Sequence, residues 1–303
     1  MLTTSLHSVH MKLIVVFLLV PMAKATYSIV GTDIETRKVG GAGATCLPDR
    51  DIYEALYHGV ANRSVLHAQG LLLDRSDPII TAAKKMMQDG EYVDDVLNAM
   101  KALDTKNFTV TDELSFFEVD VRQWGIADFK SHAAHSGEKL ATLWNFYGYS
   151  DSIEQVDAGS VSISERYNYH AMGNIVSNGT VKTMQFGFES EDNEHGFGLD
   201  LAGRLMEAIY LVAKKNLGDL RCQTSGDTTA SGAYLHVDNP DGTEFIYLNV
   251  VGDGKREPVE DLRDLFEEWR GTTARSSSAF QLAKVSIFAL AATSGATAYF
   301  SFF

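Results

Sequence analysis

Two apolar segments bracket this 303-residue chain and limit the part that must fold to the stretch between them. Residues 1–25 carry Lys12, an apolar run from Leu13 to Val20 and the small-residue box Ala23-Lys24-Ala25. That is the layout of a secretory signal and its cleavage site. Residues 271–303 join a small, polar stretch, Gly271 to Ser278, to a nearly continuous apolar run from Val285 to Phe303. This predicts a GPI attachment signal or a retained membrane anchor. The folding core is expected over residues 26–270, a length that suits one large domain.

Within the core, strand and helix signals alternate. Tyr27–Val30 and Val39–Cys46 read as strands about the polar turn Glu35 to Lys38. Asp77 ahead of Pro78 predicts a capped helix to about Met87, stopped by Gly90, and a second helix from Glu91 to about Leu103. Phe116–Asp128 reads as a strand, with Phe117, Val119 and Val121 on one side. Phe197–Lys215 is an amphipathic helix with Leu201, Leu205, Ala208, Ile209 and Val212 on one face. Strands are expected at Ala233–Val237 and Glu244–Val251, and a closing helix at Pro258–Arg270. The class is α+β. Strands at both ends with helices between fit an αββα four-layer sandwich.

The formal net charge is −14, and removing the signal with Lys12 and Lys24 and the apolar tail after Ser278 with Lys284 would leave the core more acidic still. Such a surface repels nucleic acid and acidic lipid, so membrane contact is expected only through the tail or a lipid anchor. The only cysteines are Cys46 and Cys222. In a secreted chain this even count predicts one disulfide, the alternative being two buried thiols. Asn62, Asn107 and Asn178 open glycosylation sequons. These features point to secretion or to the extracellular face of a membrane, and they leave a homo-oligomer open.

Cleavage after Ala25 would make Thr26 the first residue. A threonine there carries a nucleophile and a base in one residue. Its hydroxyl can attack a carbonyl, and its own α-amine can take the proton. That is the chemistry of N-terminal-nucleophile (Ntn) hydrolases. Other motifs fail. Gly40-Gly41-Ala42-Gly43 lacks the Lys-Ser/Thr of a phosphate loop and falls inside a strand, where it permits close backbone approach. His132-Ala-Ala-His135 with Glu138 has metal-ligand spacing but reads as a loop. No metal and no cofactor are expected.

Seven sequence blocks carry a family resemblance. They are Thr26-Tyr-Ser-Ile-Val-Gly-Thr-Asp33, Val39-Gly-Gly-Ala-Gly-Ala-Thr-Cys46, Val65-Leu-His-Ala-Gln69, Arg122-Gln-Trp-Gly-Ile-Ala-Asp128, Gly173-Asn174, Leu201-Ala-Gly-Arg-Leu205 and Gly218-Asp-Leu-Arg-Cys222. Through them the chain from Thr26 to about Arg270 resembles domain of unknown function 1028, a family placed by similarity among the Ntn hydrolases. The resemblance implies an αββα sandwich. It also implies that Thr26 matches the threonine after the initiator methionine of cytosolic relatives. Met172 departs from a glutamine in the family pattern, and Cys46 from a lysine found in cytosolic relatives. Thr224 to Ser231 lengthens the loop after Cys222.

The expected chemistry follows. Thr26 attacks an amide carbonyl, its α-amine acts as general base, and Asn174 donates to the oxyanion. Arg122 is expected to hold a substrate carboxylate, or else to pair with Asp33 or Asp219. His67 and Gln69 are expected to line the pocket or to sit satisfied in the core. Asp33 and Asp219 are supporting groups that orient the amine or Arg122. Two functions remain: a secreted amidohydrolase acting on a peptide or small-molecule amide, or a catalytically inactive extracellular module on the same fold.

Overall fold

The first two strands form a hairpin that orders everything around it. β1 (Thr26–Asp33) and β2 (Lys38–Thr45) are antiparallel, with Asp33 opposite Lys38 at the turn and Thr26 opposite Thr45 at the open end. The turn is held by Asp33, whose carboxylate accepts from the Glu35 and Thr36 amides at 3.0 and 3.1 Å. The structure is a computed structural model. It describes residues 26–47, 51–70, 75–107, 122–137, 140, 160–161, 166–191, 197–226, 228–252 and 255–271. The expected signal, most of the C-terminal tail and the first part of the Phe116–Asp128 strand lie outside these residues.

The fold is mixed α/β with two antiparallel sheets. The larger sheet adds β7 (Ser160–Val161), β8 (Tyr167–Asn174), β9 (Gly232–Asp238) and β10 (Glu244–Val251) in the order β10-β9-β2-β1-β8-β7. The smaller sheet runs β3-β4-β5-β6, from β3 (Tyr57–Val60), β4 (Ser64–Gln69), β5 (Gln123–Asp128) and β6 (His132–Ser136). The short α1 (Ile52–Leu56) precedes β3.

The sheets lie face to face, and glycines set how closely. A Cβ on Gly41 of β2 would collide with the His67 ring of β4, and one on Gly125 of β5 would collide with the His170 ring of β8. The expectation of close backbone approach in the Gly40–Gly43 run therefore holds. Side chains alternate along a strand, so even positions of β1 point at the smaller sheet. Val30 packs there with Val65, Ala127 and Tyr234. The odd positions point away, and Gly31 lies against Leu201 and Phe188.

Helices cover the outer faces. α2 (Pro78–Asp89) and α3 (Val93–Asn107) pack Ile80, Ala83, Val96 and Met100 onto Leu66, Ala68, Trp124 and Ile126 of the smaller sheet. Asp77 caps α2 through the Ile79 amide at 2.8 Å, Pro78 starts it, and Gly90 ends it at φ 82°. That matches the sequence signal. α4 (Thr180–Glu189) and α5 (Leu201–Lys214) cover the larger sheet. α5 is buried all round from Leu201 to Val212, not on one face alone. The reason is that α4 covers a second side of it: a Cβ on Gly187 would meet the Ala208 backbone. The expected strands at 233–237 and 244–251 and the closing helix are present, the helix over 258–271.

Two compact units are separable, residues 1–262 and 263–303. In the second, the described residues 263–271 are helical, with Arg263 paired to Asp264 at 2.6 Å. Among the described residues no helix is long and apolar enough to cross a membrane.

Candidate active site

The open end of the hairpin gathers the expected catalytic pair. Thr26 is directly opposite Thr45 on β2 and Asn174 on β8. Cross-strand partners share a face, and this face is the one turned toward the smaller sheet. Thr26 donates its hydroxyl to Thr45 Oγ1 at 3.3 Å. All three side chains are buried, Asn174 at 0% exposure. Both ends of the Asn174 amide, Nδ2 and Oδ1, are without a hydrogen-bond partner among the described residues.

The residue after Asn174 is strained. Ile175 has φ 53°, in the left-handed region that a β-branched side chain rarely enters. Its carbonyl accepts from Leu220 and the next residue bridges to Asp219, so the turn is fixed from outside. Such strain persists only where the surroundings over-determine it.

A second polar line starts two residues along β1. Ser28 donates to Gln69 Oε1 at 3.1 Å, Gln69 donates to Gln123 Oε1 at 2.5 Å, and Gln123 donates to Ser136 at 3.0 Å. This chain crosses from the larger sheet through β4 and β5 to β6. Gln69 is thus brought near the pair, as a neutral amide in a closed network. The sequence missed Thr45, Ser28, Gln123 and Ser136. Thr45 was within reach of it, because a hairpin turning at residues 34–37 sets Thr26 against Thr45.

The site is clamped by the predicted disulfide. Cys46 and Cys222 are bonded, across 176 residues of sequence. Beside the bridge, Asp219 accepts from the Cys46 amide at 2.8 Å, caps α6 (Leu220–Ser225) through the Arg221 amide, and pairs with the Arg221 guanidinium at 2.8 Å. Ser231 donates its amide to the Thr45 carbonyl at 2.7 Å. Asp219 therefore anchors the strand end that carries Thr45, and its own partner is Arg221.

Other expected site residues lie elsewhere. Asp33 is at the far end of β1, about 23 Å from Thr26 at the usual strand rise, and cannot orient the Thr26 amine. Burial would raise its carboxyl, but hydrogen bonds from Arg166 and Thr36 outweigh that and hold it below the ordinary value. Arg122 pairs with Asp104 of α3, not with Asp33 or Asp219. Both groups are buried, and burial lowers the guanidinium to about 10. An arginine engaged in this way is not a free clamp for a substrate carboxylate. Its partner was invisible in sequence because α3 folds back over the start of β5.

His67 is a core histidine. It is fully buried, hydrogen-bonded through Nε2 to the Tyr234 hydroxyl at 2.5 Å, and held neutral by burial and by His58 and His170. His132 and His135 are on β6 instead of a loop. Odd spacing on a strand sends their rings to opposite faces, and His135 lies over Trp124. Among the described residues no three His, Cys, Asp or Glu cluster as a metal site. Asn62 sits in the β3–β4 turn at φ 57° and accepts from Arg37 at 2.9 Å. Asn178 is exposed just before α4, while the Asn107 side chain lies outside what is described.

No protein-family model matches the sequence, and no curated protein matches it. Solved structures do. One is the crystal structure of protein SPO2555 from Silicibacter pomeroyi, assigned to domain of unknown function 1028. It is 20% identical, with a TM-score of 0.54 over 80% of this chain and 85% of that one. The chain shares the fold of that protein. At such identity the likeness speaks for the fold alone.

Proposed function

We propose that this chain is a member of the domain of unknown function 1028 family with an Ntn-type αββα sandwich, acting as a secreted or surface-anchored amidohydrolase through Thr26. One observation carries the reading. Thr26 begins the central strand with its hydroxyl on the inter-sheet face, in register with a buried Asn174 whose amide has no partner among the described residues. A buried orphan amide costs about 1–3 kcal/mol. Beside a strained backbone, such a cost supports a group kept for a ligand.

In the proposed reaction the signal peptidase frees the Thr26 α-amine. Thr26 Oγ1 adds to the amide carbon and its proton passes to that amine. Asn174 Nδ2 donates to the developing oxyanion, a contribution of about 10²–10³ in rate for one such donor. Thr45 positions the hydroxyl, and the neutral Ser28–Gln69–Gln123 line holds the wall beside it. The Cys46–Cys222 disulfide supports passage through an oxidising compartment.

The test is the secreted protein treated with p-nitrophenyl butyrate. A chain starting at Thr26 should gain one butyryl group on Thr26 by intact mass and peptide mapping, and Thr26→Ala should gain none. A different start with no adduct would favour the inactive module, a reading the burial of Thr26 also fits.

A further inference from the structure

The amide of Asn174 also says which amide the site takes. We infer that the substrate group is a primary carboxamide or a lactam, not a trans peptide bond. The inference rests on the Thr26 reading for its chemistry and on Asn174 alone for its recognition.

Asn174 is fully buried, and neither Nδ2 nor Oδ1 has a partner among the described residues. A side-chain amide presents a donor and an acceptor on one edge. Its complement is a group with a C=O and an N–H on the same edge. A primary carboxamide has that edge, and so does a lactam, whose ring makes the amide cis. A trans secondary amide points its N–H and C=O to opposite sides. It can satisfy only one end of Asn174 and leaves the other buried and unpaired. A site built to hydrogen-bond a group rejects the analogue that lacks it far more strongly than an apolar pocket does.

The surroundings fit a neutral reacting group. Thr26, Thr45, Ser28, Gln69 and Gln123 are all uncharged. The charged groups tested as helpers are engaged: Arg122 with Asp104, Asp219 with Arg221 and Asp33 with Arg166. A carboxylate or ammonium on the reacting carbon would have no partner from this set.

The reaction balances as a simple hydrolysis. Thr26 Oγ1 bonds to the carboxamide carbon, and its proton goes to the α-amine. The C–N bond then breaks, and the nitrogen leaves with that proton as ammonia, Thr26 holding the acyl group as an ester. Water adds to the ester, the Thr26 hydroxyl re-forms, and the carboxylic acid departs. From a lactam the nitrogen stays on the acyl chain, and the product is the ring-opened amino acid.

The experiment uses the mature chain starting at Thr26 and two matched probe pairs, 2-pyrrolidone against 1-methyl-2-pyrrolidone and butyramide against N-methylbutyramide. The Asn174 side-chain resonances should shift with 2-pyrrolidone and not with its N-methyl partner. The kcat/KM for butyramide should exceed that for N-methylbutyramide by about tenfold or more. Equal shifts or equal turnover would overturn the inference. Should p-nitrophenyl butyrate acylate Thr26 while the probe pairs behave alike, the hydrolase reading stands and the carboxamide inference fails. Should Thr26 resist acylation while 2-pyrrolidone alone shifts Asn174, the hydrolase reading fails and the recognition stands. Asn174→Leu adds a check against a merely structural role. Its melting temperature should rise, and 2-pyrrolidone should lose its advantage as a competitor of acylation. A fall in melting temperature would return Asn174 to the core and overturn the inference.

Discussion

The space between the two sheets is finished differently on its two sides. Toward β9 and β10, most polar groups close on one another, although His67 Nδ1, His236 Nδ1 and Asn249 Oδ1 have no partner among the described residues. Tyr57 donates to Asp238 at 2.8 Å, His236 shares that carboxylate at 2.8 Å, and Tyr234 meets His67. The Tyr53 ring packs against Tyr57, Tyr234, His236 and Tyr247 at 4.7–5.6 Å between centroids. Toward β8, the Asn174 amide stays open and the chain turns through a strained Ile175. The first side has the character of a packed core. The second sets an amide unpaired at both ends directly before a left-handed, β-branched residue. It is also the side bolted down by a disulfide and by the Asp219 contacts. Stabilising devices concentrated around a costly spot are what a preorganised site requires.

The sharpest way to break this contrast is Thr26→Ala. In the mature protein, ester acylation at residue 26 should vanish and any amide turnover should fall by about 10³-fold or more. Stopped assays of acyl transfer measure it, and an unaltered rate would reduce the β8 side to ordinary core.

Removing the clamp comes next. Cys46→Ser with Cys222→Ser should cost about 2–5 kcal/mol, since the bridge closes a long loop of the unfolded chain. Urea denaturation of both proteins gives the difference. Acyl transfer should suffer in parallel, because Cys46 follows Thr45.

Acid should weaken the fold through its buried histidines. Burial, first of all, holds His58 and His170 at about 3. The unfolded chain titrates them near 6.5. Between these values the unfolded state binds more protons, so stability is fully present above about pH 6.5 and is lost as pH falls toward 3. Each unit of separation is worth about 1.4 kcal/mol per histidine at most. Denaturant midpoints from pH 7 to pH 4 should therefore decline steadily, and a flat profile would contradict the burial of these rings.

The smallest effects have opposite signs on the two sides. Tyr57→Phe should destabilise by about 1 kcal/mol, through the hydrogen bond lost to Asp238, and leave acyl transfer intact. Asn174→Leu should stabilise by a similar amount while slowing acyl transfer by about 10²–10³-fold without abolishing it, since an apolar group of the same shape relieves a buried unpaired amide and removes one oxyanion donor. Differential scanning calorimetry of the two variants compares them directly.

The sequence was legible where the determinants are local. The hairpin turn, the Asp77-Pro78 start of α2 and its Gly90 stop involve neighbours in the chain, and they are present as read. β8 gave little warning, because it is buried on both faces and so lacks the polar alternation that marks an exposed strand. The His132–His135 segment shows no helix pattern and reads as a loop, yet as β6 it completes a sheet edge. In sequence α5 reads as one-sided, because periodicity reports a face and not how many neighbours will cover it.

By itself the sequence determined the hairpin, the capped helix and the candidate nucleophile at its head, since each depends on residues within a few positions of one another. The pairing of Cys46 with Cys222 could be guessed because no other cysteine exists. Only the tertiary structure decided the rest. It set Asn174 beside Thr26 across 148 positions of chain and gave Arg122 to Asp104. It joined Gln69 to Gln123 and left the buried Asn174 amide open at both ends. These are pairings across sheet registers and between layers, and a buried polar group reveals whether it is satisfied only when its neighbours are in place.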